Sequence, residues 1–152
     1  MVSPFRHAKE QALGGALPIS DEDKFHAVLA HALGAILAFV SCGFILALAA
    51  PFVVRLLYRG NNPFVFFHLN QSFWYQLAVI GVLLGIAFVF LLLSVVTCGV
   101  GSLLFYLLPL ISLALGTLYP LYVAYRAYQG EWEFYPIIGE KVLDQERPLI
   151  RP

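Results

Sequence analysis

Two stretches of this chain, Phe25 to Val54 and Gly60 to Tyr125, contain no Asp, Glu, Lys or Arg. A run of roughly 18 uncharged apolar residues is already long enough to cross a bilayer as a helix. Unpaired backbone amides are costly in hydrocarbon, so runs of this length without strand alternation must be helical. They predict an all-α integral membrane protein. Charge placement agrees: all nine acids lie outside residues 24 to 130. Only 12% of residues are charged, against about 25% in a soluble domain.

The formal net charge is zero and no basic cluster exists, so the positive footprint that nucleic acid requires is missing. Two cysteines are too few for a disulfide framework and lack metal-ligand spacing. No nucleophile–base–orienter set, phosphate loop or carboxylate pair can be picked out, and the acids sit in the tails. The expectation is a non-enzymatic protein without cofactor or metal. Its partners would be the lipid bilayer and other membrane proteins or further copies of itself.

Gly14-Gly15 and Pro18 break residues 1–20 into a flexible cytoplasmic tail. A helix is expected to start at Ser20-Asp21-Glu22-Asp23, where Ser20 caps free amides and the acids face the positive end of the dipole. Residues 21–128 form the transmembrane domain, and Ala30, Gly34 and Ala38 give its first helix a small-residue stripe for close packing. Ser41-Cys42-Gly43 interrupts the first apolar run. A single helix from Phe25 to Leu57 would be about 50 Å long, against a bilayer core of about 30 Å. A hairpin instead puts Lys24, Arg55, Arg59 and Arg126 on one side and no charge in the opposite turns, which is the positive-inside pattern. The preferred architecture is therefore a bundle of four spans as two tandem hairpins, with both termini cytoplasmic in a bacterial inner membrane. Three spans with one long first helix is the alternative. The second hairpin runs from Asn70 to Val96, turns at Thr97-Cys98-Gly99-Val100-Gly101, and returns from Ser102 to Tyr125. Gly81 and Gly85 add a second helix-packing pair. Trp132, Phe134, Tyr135, Ile137 and Ile138 make residues 129–152 read as an interfacial segment and polar tail.

The candidate functional residues gather around Asn61 to Gln76. On a helix starting near Val65, His68, Gln71, Ser72, Tyr75 and Gln76 share one face. Polar groups do not face lipid, so this stripe either lines a pathway or pocket or joins helix to helix by hydrogen bonds. His31 lies inside the first apolar run, where an ionisable group is a functional candidate, with His68, Gln71 or Tyr75 as its expected partner. Two histidines without a third ligand make no metal site. Arg55, Arg59 and Arg126 read as topology anchors or as contacts for anionic lipid headgroups.

These residues resemble the small bacterial membrane proteins related to the Tic-twenty subunit of the chloroplast inner-envelope import translocon. The likeness covers Asp21 to about Val142. It rests on Ala30-His31 with Gly34, on Pro51 followed by the basic turn, and on Asn62-Pro63-Phe64-Val65 with His68, Gln71, Phe73 and Gln76. Tyr119-Pro120, Ala127-Tyr128-Gln129-Gly130-Glu131 and Tyr135-Pro136 complete it. The chain departs from that pattern at Ser72 and Trp74, where alanine and asparagine are usual. The resemblance implies four spans, both ends on the cytoplasmic side, and a translocon-like or scaffold subunit that makes intramembrane contacts through the polar face. An oligomeric small-solute or ion permease is the competing expectation.

Overall fold

A computed structural model describes residues 18–40, 44–139 and 141–142. The N-terminal tail, Ser41-Cys42-Gly43, and with them any Cys42–Cys98 disulfide, lie outside these residues. Among the described residues the chain is wholly helical apart from its turns and an extended segment at 131–135. Helix α1 spans Asp21–Val40. Its start is a capping box: Ser20 Oγ accepts from the Asp23 amide at 3.1 Å, and the Asp23 carboxylate accepts from the Ser20 amide at 3.0 Å. Ala27, Ala30, Gly34, Ala35 and Ala38 are buried along one side, so the small-residue stripe is the packing face.

Beyond the interruption come α2 (Phe44–Ala47) and α3 (Ala49–Leu57). Tyr58, at the end of α3, donates to Asp23 at the start of α1 at 2.7 Å. Residues 35 positions apart can meet only if the chain reverses, so residues 21–57 form a hairpin and not one long helix. Charge asymmetry made the hairpin the preferred reading, and the chain follows it.

Helix α4 (Pro63–Val96) is 34 residues long, roughly 50 Å at 1.5 Å per residue. Its start is locally encoded: Asn62 accepts from the Phe64 amide, and Pro63 takes the first helical position, where its missing N–H costs nothing. Thr97 closes the helix, and Gly99 turns the chain at φ +98°. Gly101 then passes so close to α4 that a Cβ there would lie 2.6 Å from the Leu93 carbonyl carbon. The return arm is a 3₁₀ stretch (Val100–Leu107), α5 (Leu108–Leu113), a π turn (Ala114–Leu118) and α6 (Tyr119–Tyr128).

α4 and the return arm, Val100–Tyr128, are each long and apolar enough to cross a membrane. The first hairpin is shorter, with α1 near 30 Å and residues 44–57 near 20 Å. The inner half of α4 packs among α1, α2 and α3, with Val123 of α6 beside Tyr75 and Val79, whereas its outer half, among the described residues, meets the return arm and otherwise displays Val82, Leu84, Phe88, Leu91 and Val95.

Among the described residues, Gly81 and Gly85 have no atom within 4 Å of a Cβ built on either. Gly34 does pack, with a built Cβ 3.0 Å from Gln76 Nε2 and 3.8 Å from Ala50 Cβ. The C-terminal segment does not simply lie along the surface, because Trp132 and Tyr135 are buried while Pro136 and Ile137 are exposed. Trp132 fills the space beside Phe64 and Phe67, at ring distances of 5.3 and 5.2 Å, a larger apolar gain than a headgroup boundary offers.

Candidate functional site

All five residues of the predicted stripe on α4 are buried: His68, Gln71, Ser72, Tyr75 and Gln76. Helical spacing places them on one face, and that face turns towards α1 and the C-terminal segment. Ser72 donates to the Ala30 carbonyl at 2.9 Å, tying α4 to α1. Gln71 uses both ends of its amide. Its Nε2 donates to the Glu133 carbonyl at 2.7 Å, and its Oε1 accepts from the Tyr135 amide at 3.1 Å. One side chain thus pairs with a backbone donor and a backbone acceptor of the non-helical segment at 133–135.

His31 is fully buried at the centre of this arrangement. Its Nε2 lies 3.0 Å from His68 Nδ1 and its Nδ1 lies 3.0 Å from the Tyr135 hydroxyl. A hydrogen bond between two imidazoles needs a lone pair on one nitrogen, so His31 and His68 cannot both be cations while it holds. Tyr135, His31 and His68 form a continuous hydrogen-bonded chain in which one proton shift at each ring would pass a proton along. The expected His31–His68 pairing is present. Tyr135, the third member, was missed because its partner lies 104 residues away and its own segment reads as interfacial.

Tyr75 extends the network outward. Its ring stacks on Tyr135 at 3.9 Å and 12°, and its hydroxyl donates to the Leu115 carbonyl at 2.8 Å. That carbonyl is free for a local reason. In the π turn the Tyr119 amide bonds back to Ala114, and the next residue, Pro120, has no N–H. Leu115 is left without a helical donor, and Tyr75 supplies one.

Gln76 differs from the rest. It is fully buried, and among the described residues neither its Oε1 nor its Nε2 finds a partner. A buried amide in that state costs about 1–3 kcal/mol in lost hydration. Gln76→Met should therefore raise the melting temperature of the purified protein, by the equivalent of about 1 kcal/mol or more. A drop in stability would show that the amide is satisfied in solution.

A second polar cluster lies at the charged end of the bundle, a helical turn or two from the first, where α1 and α4 begin and α3 ends. Asp23 Oδ1 accepts from Tyr58 at 2.7 Å, and Oδ2 accepts from Ser20 Oγ at 2.8 Å and Asn62 Nδ2 at 2.9 Å. The Asn62 amide donates in turn to the Tyr58 hydroxyl at 3.0 Å. Burial acts to raise the Asp23 pKa, but the hydrogen bonds from Tyr58, Ser20 and Asn62 outweigh it and hold the carboxyl below its usual 3.8. Burial, then the bond to Asp23, push Tyr58 up to about 12. A Ser-x-x-acid box followed downstream by Asn-Pro was the available signal for this cluster.

Of the three arginines singled out in the sequence, Arg126 is ion-paired with Glu131 and Glu133 across the Gly130 turn, which leaves little free charge for a headgroup. Arg55 and Arg59 remain exposed. Among the described residues no group of three His, Cys, Asp or Glu side chains could hold a metal ion.

A helical fold with two bilayer-length apolar helices, its polar side chains hydrogen-bonded inward and its long apolar ones turned out, defines a helical membrane protein. Within that class the chain belongs to the magnetosome magnetite crystal formation protein family (MamF/MmsF), whose model matches residues 22–142. No curated protein and no solved structure matches it. The family match overturns the likeness to the Tic-twenty-like import proteins, and the implied kinship with a plastid translocon falls with it. The motifs behind that likeness, such as Asn62-Pro63 and His68 with Gln71, lie at a helix start and in the buried core.

Proposed function

We propose that the protein is a non-enzymatic, multi-pass scaffold of the magnetosome membrane that takes part in magnetite crystal formation. The observation that carries this reading is the family match over residues 22–142, which contains His31, the polar stripe of α4 and Tyr135. The site geometry supports it. His31, Gln71, Ser72, Tyr75 and Tyr135 are engaged in bonds within the chain, as expected of a rigid support. Both hairpins bring their ends back to one side, with the termini cytoplasmic by the positive-inside pattern. A magnetite-forming cell lacking the protein should make smaller or misshapen crystals, restored by the wild-type chain. Unchanged crystals would remove the reading.

The outer half of α4 is where such a scaffold would meet a second copy of itself. Gly81 and Gly85 leave a flat strip there with open space above both, and close helix approach in a bilayer uses such pairs. Gly81→Leu with Gly85→Leu should leave the melting temperature of the monomer within a few degrees of wild type. The same change should abolish cross-linked dimers in membranes. Dimers that persist would place self-association elsewhere.

A further inference from the structure

On the outer face of the bundle, between α3 and α4, lies a cavity of about 540 Å³. Phe52 packs on Phe73 at 5.3 Å, and the Arg55 guanidinium lies 3.9 Å from the centre of the Phe66 ring. The two helices are therefore antiparallel, and the lining is graded along them. Arg55, Phe66 and Asn70 lie towards the charged end of the bundle, and Phe52, Phe73 and Trp74 lie towards the apolar end. Phe66 and Trp74 are about 12 Å apart along α4 at 1.5 Å per residue.

Charge decides what belongs there. Lys24 is paired with Asp21, and Arg126 with Glu131 and Glu133, but Arg55 pairs with no carboxylate among the described residues. Its cation rests on an aromatic ring at the mouth of an apolar groove. The neighbouring α3 surface of Phe52, Val53, Leu56 and Leu57 is exposed and apolar. Trp74, at 46% exposure, adds a further aromatic wall at the apolar end. We propose that this groove binds one anionic phospholipid of the surrounding leaflet, with its phosphate on Arg55 and its upper acyl carbons against Phe52 and Phe73. A free phosphate would leave the apolar end unused, and a zwitterionic lipid would leave the Arg55 charge only partly neutralised. The inference needs the membrane placement but not the role in crystal formation.

The test uses the full chain in a nonionic detergent, with lipid binding followed by native mass spectrometry and by the shift in melting temperature. Phosphatidylglycerol should bind saturably at one site and raise the melting temperature more than phosphatidylcholine does. Arg55→Gln should weaken that binding roughly five- to tenfold, with the lipid-free melting temperature unchanged because Arg55 makes only a ring contact. Arg59→Gln should weaken it less. Arg55→Lys should recover part of the affinity, since the charge stays and the two-pronged donor geometry is lost, and it covers the case in which the glutamine variant fails to fold. The proposal is overturned by an Arg55→Gln protein that keeps its full preference for phosphatidylglycerol. Equal losses at Arg55 and Arg59, or equal binding of phosphatidylcholine, would also overturn it. So would inorganic phosphate giving the same stabilisation, which marks a plain anion site.

Discussion

Gln71→Ala should release the C-terminal segment from the bundle and lower stability by about 3–5 kcal/mol. Gln71 holds both the Glu133 carbonyl and the Tyr135 amide, and each buried backbone group left without a partner costs about 1–3 kcal/mol. The loss would spread, because Tyr135 is also the hydrogen-bond partner of His31 and the stacking partner of Tyr75. Trp132, on the same segment, supplies the readout. It is buried between Phe64 and Phe67, so its emission should shift to the red when the segment leaves. The measurement is made in a Trp74→Phe background, since Trp74 is the only other tryptophan. Gln71→Glu separates the two bonds, keeping the acceptor for Tyr135 but setting a carboxylate oxygen against the Glu133 carbonyl, and should also release the segment. If both variants keep the wild-type emission and melting temperature, the segment is held by its aromatic rings alone.

Much of this architecture was legible because local signals and pattern agreed. Ser20 capped its helix, Asn62-Pro63 began another, and the uncharged runs marked the apolar helices. The stripe from His68 to Gln76 was found from helical spacing alone, and His68, which His31 meets, was one of the three partners expected for it beside Gln71 and Tyr75. What the stripe was for could not be read from spacing. A polar face can line a path or clasp a neighbour, and only the positions of Ala30, Leu115 and residues 133–135 show that it clasps. Periodicity reports a residue's face, not the segment that returns to cover it from a hundred positions away. The glycine pairs make the same point from the other side. Gly34 and Gly81 sit in similar small-residue spacings, yet one lies against Gln76 and the other against open space. Asp23 escaped for a different reason. An acid in a helix's first turn is explained by the dipole, so nothing prompts a search for Tyr58 or Asn62.

Asp23→Ala should then cost about 3–5 kcal/mol, comparable to Gln71. The change removes half of the capping box, worth about 0.5–2 kcal/mol. It also leaves the Tyr58 hydroxyl and the Asn62 amide without the carboxylate that accepts from both, at about 1–3 kcal/mol each. The start of α1, the end of α3 and the start of α4 would separate together, because this carboxylate is what joins them. The effect carries a pH signature with a definite sign. The folded pKa of Asp23 lies below its usual 3.8, so the folded state holds its proton less tightly than the unfolded chain does. Its contribution is fully present above the unfolded pKa of about 3.9 and is lost as pH falls through the lower folded value. Tyr58 acts in the opposite sense. Raised to about 12, it contributes fully below its unfolded pKa of about 10 and loses that contribution as pH climbs through the folded value. Melting temperatures of wild type and Asp23→Ala, followed from neutral pH into acid, should differ by a constant amount down to about pH 5 and converge at lower pH. Asp23→Asn keeps the side-chain shape and one acceptor for Tyr58 but cannot titrate, so it should flatten the same acid limb while losing less at neutral pH. A gap that stays constant through the acid range would mean that the Asp23 carboxylate is not what ties the three helix ends together.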